Sequence, residues 1–316
     1  MLWLAGVMGL MAVGAVAFVE IEPGSEAEEE DDRANDVPLR PVGEILTGSD
    51  GADVLTGQAG NDQIGGGEGA DSLHGAEGDD SLYGGGGDDL LDGDEGADVL
   101  HGEDGEDAMR GDAGSDFIAG HNGNDLLWGG SEDDQLIGSQ GDDRLFGEAG
   151  NDALIGGLGD DTLTGGAGQD SLFGGWGNDK LVGTLPPFTI GDYLNGGGGD
   201  DAILAGDGDI VTTGDGFDTV ILGHWNGEAQ GAEIIDFNRA EDRLLYVWDD
   251  ADPDAIPPEL RIEEDDHAAE ARIYADGRLV ARITGDHDLG PPDLALMPRS
   301  SAAAVSILPV DADRVQ

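Results

Sequence analysis

The sequence predicts an all-β fold: a right-handed parallel β-roll with two nine-residue units per coil, closed by a small antiparallel β cap and preceded by an apolar helix. Three observations carry this. A nine-residue period runs fifteen times without a slip from Gly48 to Val182. Each period has Gly at position one, Asp at position six and an aliphatic residue or Met at position eight. The composition is extreme, with 58 Gly, 70 acidic against 13 basic residues and no Cys in 316 residues.

Met1 to Val19 is apolar throughout. As a helix it would be about 28 Å long, close to the hydrocarbon thickness of a bilayer. A membrane anchor and a signal peptide both stay open: the missing basic start favours the anchor, and Ala15-Val16-Ala17 imitates a cleavage site. A buried core helix is the third choice. Residues 20–46, with Glu28-Glu29-Glu30-Asp31-Asp32, read as a solvated acidic tether.

Residues 47–221 are the roll. A short strand around position eight buries one side chain and exposes its flanks, while a Gly-rich turn reverses the chain. One such unit cannot bury its single Leu, so units must coil and stack. The inward set runs Leu55, Ile64, Leu73, Leu82, Leu91, Leu100, Met109, Ile118, Leu127, Leu136, Leu145, Leu154, Leu163, Leu172 and Leu181. A disordered Gly/Asp tract would not keep fifteen aliphatic residues in register.

Coiling stacks the Asp residues in two columns: Asp53, Asp62, Asp71, Asp80, Asp89, Asp98, Asp107, Asp116, Asp125, Asp134, Asp143, Asp152, Asp161, Asp170 and Asp179. Carboxylates at strand spacing, ~4.8 Å, repel by about 1 kcal/mol even in water. A hard divalent cation between rows removes that repulsion. Ca²⁺ suits it, accepting six or more carboxylate and carbonyl oxygens in flexible geometry, whereas zinc would want Cys or His. On the order of a dozen ions would neutralise roughly 24 of the 57 excess charges.

The units resemble the nonapeptide of the repeats-in-toxin (RTX), hemolysin-type calcium-binding family. The best matches are Gly156-Gly157-Leu158-Gly159-Asp160-Asp161-Thr162-Leu163-Thr164 and Gly174-Gly175-Trp176-Gly177-Asn178-Asp179-Lys180-Leu181-Val182. The resemblance implies Ca²⁺ held in the turns by the position-six Asp and turn carbonyls. It also implies export from a Gram-negative bacterium, often by type I secretion, to the medium or the cell surface. Position two departs from Gly at Ser49, Gln58, Glu103 and His121, which should matter little while positions one and four are kept. Glu132 at position four puts one turn's geometry in question.

The register breaks at residues 184–190, around Pro186-Pro187, read as a loop bulging from one coil. Repeats resume with Asp192, Asp201, Asp209 and Asp218, each followed by an inward Leu194, Ile203, Val211 or Val220. These four complete the expected calcium ligands. Residues 222–298 read as the antiparallel cap: strands over Ala232–Phe237, Arg243–Val247 and Leu260–Glu263, and a hairpin, Ala271–Ala281, around Asp276-Gly277. Ile234-Ile235-Asp236-Phe237 and Glu241-Asp242-Arg243-Leu244 resemble, more weakly, the C-terminal region of the same family. Residues 299–316 read as a loose tail with room for an export signal.

Catalytic motifs are absent: there is no His-Glu-x-x-His and no Gly-x-Ser-x-Gly, and Gly-x-Gly-x-x-Gly recurs only as a by-product of the repeat. Asp250 to Asp254 begins like an EF-hand loop but lacks its Gly and Glu. His74, His101, His121, His224, His267 and His287 are scattered and read as surface residues without a convergent set. The strong negative charge excludes nucleic acid as a partner. An outward apolar stripe at position nine, Trp128 and Phe146 in one column and Ile137, Ile155 and Phe173 in the other, is expected to dock either the chain's own insert and cap or a protein partner. The expected function is calcium binding by an exported or surface-tethered roll that folds on Ca²⁺ loading, not an enzyme. Two alternatives stand beside it: a secretion module for an unrecognised C-terminal catalytic part, and a surface adhesin.

Overall fold

Each position-eight side chain needs neighbours to cover it, and in the computed structural model successive repeats supply them by winding. The structure describes residues 42–183, 191–223, 230–251, 255–265, 270–284, 289–290 and 293–304. The expected apolar helix, most of the tether, the 184–190 insert, the tail beyond residue 304, and His224, His267 and His287 lie outside them. No helix among the described residues is long and apolar enough to cross a membrane.

Alternate strands go to two sheets, of 14 and 12 strands. Pairing through the repeats is parallel, between residues one coil apart: Leu127 faces Met109 and Leu145, and Leu136 faces Ile118 and Leu154. Every position-eight side chain from Ile64 to Leu181 has 0% exposure, so the core is one file of interlocked aliphatics between the sheets. Burying each is worth roughly 1.5–3 kcal/mol. Leu46 and Leu55, in the first coil, are only partly buried.

The strands are longer than the short segment expected around position eight. Ser72–Glu77, Leu126–Ser131 and their equivalents span six, running from position seven through position three of the next repeat. The turn is confined to positions four to six. Continuation has a cost that the sequence conceals: position two is left-handed in most repeats, as at Ala76, Asp94, Glu103, Asp112, His121, Ser139 and Glu148, with φ between 70° and 90°. Departures from Gly at those seven positions are therefore strained, by about 1–2 kcal/mol each, contrary to the expectation that Glu103 and His121 matter little; Ser49 and Gln58 have no positive φ and carry no such strain. Glu132 keeps the turn's left-handed φ of 76°. Beside it the bond from Gly114 N–H to Ser131 C=O is 3.4 Å long, and the Glu132 carboxylate accepts the same N–H at 3.1 Å.

The register crosses residues 184–190 unchanged, with Leu172 paired to Leu194. Beyond Leu222 the expected antiparallel cap is corrected to a mixed one. Ala232–Ile234 and Arg243–Trp248 first extend the two sheets in parallel, and Arg278–Thr284 and Leu294–Pro298 add one more parallel strand to each. Among the described residues, antiparallel pairing is confined to Glu270–Ala275, which pairs with Leu260–Asp265 on one side and Arg278–Thr284 on the other. Asp276 and Gly277 close that hairpin with φ of 50° and 80°, as a two-residue primed turn requires. Arg299–Ala304 is a short helix rather than loose tail.

Candidate metal centre

The turn places the two oxygens of each position-six carboxylate in different surroundings. Oδ1 accepts the backbone N–H of the Asp one coil earlier: Asp80 N–H donates to Asp98 at 2.7 Å, Asp98 N–H to Asp116 at 2.8 Å, and Asp143 N–H to Asp161 at 2.8 Å. Both columns run this way as far as Asp209 and Asp218. Oδ2 is turned into the turn. It is buried without a hydrogen-bond partner in Asp71, Asp80, Asp89, Asp98, Asp107, Asp116, Asp125, Asp134, Asp143, Asp152, Asp161, Asp170, Asp179, Asp201 and Asp218. A buried carboxylate oxygen with nothing to accept is costly, and fifteen in register need a common explanation.

Position one shows what shares that space. A Cβ on Gly75 would lie 2.4 Å from Asp80 Oδ2 and 2.6 Å from the Gly93 carbonyl oxygen of the next coil; on Gly156 it would lie 2.3 Å from Asp161 Oδ2 and 2.6 Å from the Gly174 carbonyl. None of these four glycines has a positive φ, so Gly is needed there for room and not for conformation. Carboxylate and carbonyl oxygens from adjacent coils converge on a volume that any side chain would fill. An all-oxygen donor set of this kind fits a hard cation.

Electrostatics agree. Burial raises the carboxyls of Asp98, Asp107, Asp134, Asp161, Asp170, Asp201, Asp209 and Asp218 to about 7. It raises those of Asp116, Asp125, Asp143, Asp152 and Asp179 to about 6. Asp80 and Asp89 are raised for the same reason. The amide on Oδ1 opposes the rise, and neighbouring acid charges add to it as a smaller contribution. Removal from water, more than mutual repulsion, is what raises these carboxyls.

Four of the expected ligands differ. Asp53 is half-exposed and its Oδ2 accepts Ser49 N–H and Oγ–H. Asp62 Oδ2 accepts Gln58 N–H at 2.9 Å. Asp209, where the spacing shrinks to eight, spends Oδ2 on Gly206 N–H at 2.6 Å. Asp192 keeps the Oδ1 contact, accepting Asp170 N–H at 2.8 Å.

Two features escaped the sequence reading. Asp242 ends one column, accepting Asp218 N–H on Oδ1 at 3.3 Å and filling Oδ2 with Asn238 N–H at 2.7 Å. Its signal was Asp two residues before the buried Leu244. Position five carries an outer ladder of the opposite sense, in which Asp160 N–H donates to Asp142 and Asn178 N–H to Asp160. The recurrence of Asp and Asn at position five was its signal. Where position five one coil earlier is Asp or Asn, as at Asp142 and Asp160, the outer ladder takes the position-five N–H.

The described histidines, His74, His101 and His121, fall outside these turns. His74 lies 3.6 Å from Asp92. His101 and His121, expected to be unconnected, meet with Nδ1 and Nε2 2.8 Å apart. In the apolar stripe Trp128 stacks on Phe146 at 6.1 Å, with the Arg110 guanidinium 5.1 Å from the indole. Ile137, Ile155 and Phe173 are in register in the other sheet. Towards the cap, the equivalent outer positions Val182, Leu204 and Ile221 are buried in a small second cluster with Leu245 and Val247.

Solved structures to which the chain is similar include these two. One is the solution structure of the AlgE6R3 subunit from the Azotobacter vinelandii mannuronan C5-epimerase, 20% identical over 56% of this chain and 80% of that one, with a TM-score of 0.17. The other is the crystal structure of the extracellular lipase LipA from Serratia marcescens, 18% identical over 84% of this chain and 42% of that one, with a TM-score of 0.23. No curated protein matches. The model of the RTX calcium-binding nonapeptide repeat matches residues 43–73, 65–100, 101–136, 128–163, 155–185 and 191–209, about half of the chain. With its period, turn geometry and family match in agreement, the chain belongs to the RTX calcium-binding nonapeptide repeat family.

Proposed function

We propose that this chain is a calcium-binding β-roll, exported or tethered at the cell surface, that folds when it meets millimolar Ca²⁺ outside the cell. The observation that carries the reading is the set of fifteen buried, unpartnered Oδ2 atoms, fourteen of them beside a Gly whose missing side chain leaves the cation's volume open; Asp218 has Thr213 at that position instead. Those fifteen Asp residues, from Asp71 to Asp218, are the ligands assigned here; Asp53, Asp62 and Asp209 have filled Oδ2 with amides and are weaker sites. Binding energy is then folding energy, because the oxygens converge only once the coils are stacked. No catalytic role is proposed. Residues 1–19 supply the anchor or the export signal.

Circular dichroism of the full chain at pH 7.5 tests this. Adding Ca²⁺ to the chelated protein should produce a large β-signal, while Mg²⁺, bound to octahedral geometry and its own waters, should not. An equal β-signal in chelator would refute it. A surface partner is a second reading, favoured by the outward Ile155 and Phe173 and by Trp176, 69% exposed.

A further inference from the structure

Successive side chains along a strand alternate in direction, so His101 and Glu103 leave the larger sheet on its outer side, flanking the inward Leu100 and the small Gly102. The adjacent strand, Phe117–Asn122, pairs Glu103 with His121 and His101 with Ala119. Ala119 is too small to fill the space beside His101, and His121 leans over it: the two rings stack at 5.1 Å and 29°. Tyr83 stacks on His101 at 5.2 Å and 9°, and Phe117 closes in at 5.8 Å. The His101 ring is thereby fixed. His121 holds a left-handed φ of 79°, at a position where Gly is the unstrained choice. One ligand atom from each of His101, Glu103 and His121 lies within 4.8 Å of the others.

We propose that His101, Glu103 and His121 form a transition-metal site on the outer face of the sheet, distinct from the calcium turns. Two imidazole nitrogens and one carboxylate suit a borderline dication of the Zn²⁺ or Co²⁺ class, with a coordination position left open, and do not suit Ca²⁺. Without metal, one of the two facing nitrogens must carry a proton to make the 2.8 Å contact. With metal, both present lone pairs, each ring keeps its proton on the far nitrogen, and the N···N distance opens to about 3.3 Å for tetrahedral bonds. The site rests on the calcium-folded roll, since only coil stacking brings residues 101 and 121 together.

Co²⁺ titration of the full chain, in excess Ca²⁺ to keep the turns filled, reads the site by visible absorption. The expected result is one equivalent bound with intense low-symmetry d–d bands, displaced by Zn²⁺. His101→Gln and His121→Gly should abolish the bands, and Glu103→Gln should weaken binding by at least about tenfold. His74→Gln should change nothing. The Gly variant suits the left-handed backbone, so its fold is safe. Equal spectra in the parent and His121→Gly, or only the spectrum of the hydrated ion in the parent, overturn the proposal. Failure of the roll itself would show separately, as loss of the Ca²⁺-induced β-signal.

Discussion

Protons and calcium should compete for the same oxygens, so removing calcium makes the fold depend on acid. In the metal-free roll, burial holds thirteen ladder carboxyls at about 6 or 7, from an ordinary value of 3.8. The folded state therefore keeps protons that the unfolded chain releases, and its stability falls as pH rises from about 4 to about 7. A shift of two units corresponds to ~3 kcal/mol per carboxyl. Reduced to about 1 kcal/mol for water reaching the turn rim, the summed effect still rivals the ~5–15 kcal/mol that holds a typical domain together. Dichroism in chelator should thus show a β-signal at pH 5 that disappears by pH 8, with the midpoint between 6 and 7 set by these groups. Calcium should restore the signal at pH 8, and its apparent affinity should drop as pH falls below 7. A metal-free signal that is flat, or that grows with pH, would refute the reasoning.

Gly75→Ala should remove one calcium from the stoichiometry by calorimetry, because its Cβ would stand 2.4 Å from Asp80 Oδ2. Gly51→Ala, with nothing within 4 Å of the added atom, should bind as the parent does. Ser139→Gly relieves a φ of 90° and should stabilise the loaded roll by about 1 kcal/mol in chemical denaturation. Leu145→Ala, at a fully buried position, should cost ~2–5 kcal/mol and raise the calcium needed for folding. If Trp128→Ser and Phe173→Ser leave stability and self-association unchanged, the outer stripe has no docking role.

Period and phase were legible in the sequence because each repeat makes the same local choice: Leu127 and its equivalents state the core, and Asp125 and its equivalents state the ladder. The sequence also carried the cation's chemistry, since an acidic ladder with no Cys leaves oxygen donors alone. Only the tertiary structure decided which oxygen of each Asp is free, because that depends on an amide 18 residues earlier, as between Asp107 N–H and Asp125. It decided why position one is Gly, since the colliding atoms, Asp80 Oδ2 and the Gly93 carbonyl, belong to different coils. The parallel extension of both sheets into the cap was hidden in the pairing of Ala232–Ile234 with a strand near residue 280, too distant for local pattern to reveal. The meeting of His101 with His121 was hidden likewise, because a separation of one coil plus two residues becomes a contact only after winding.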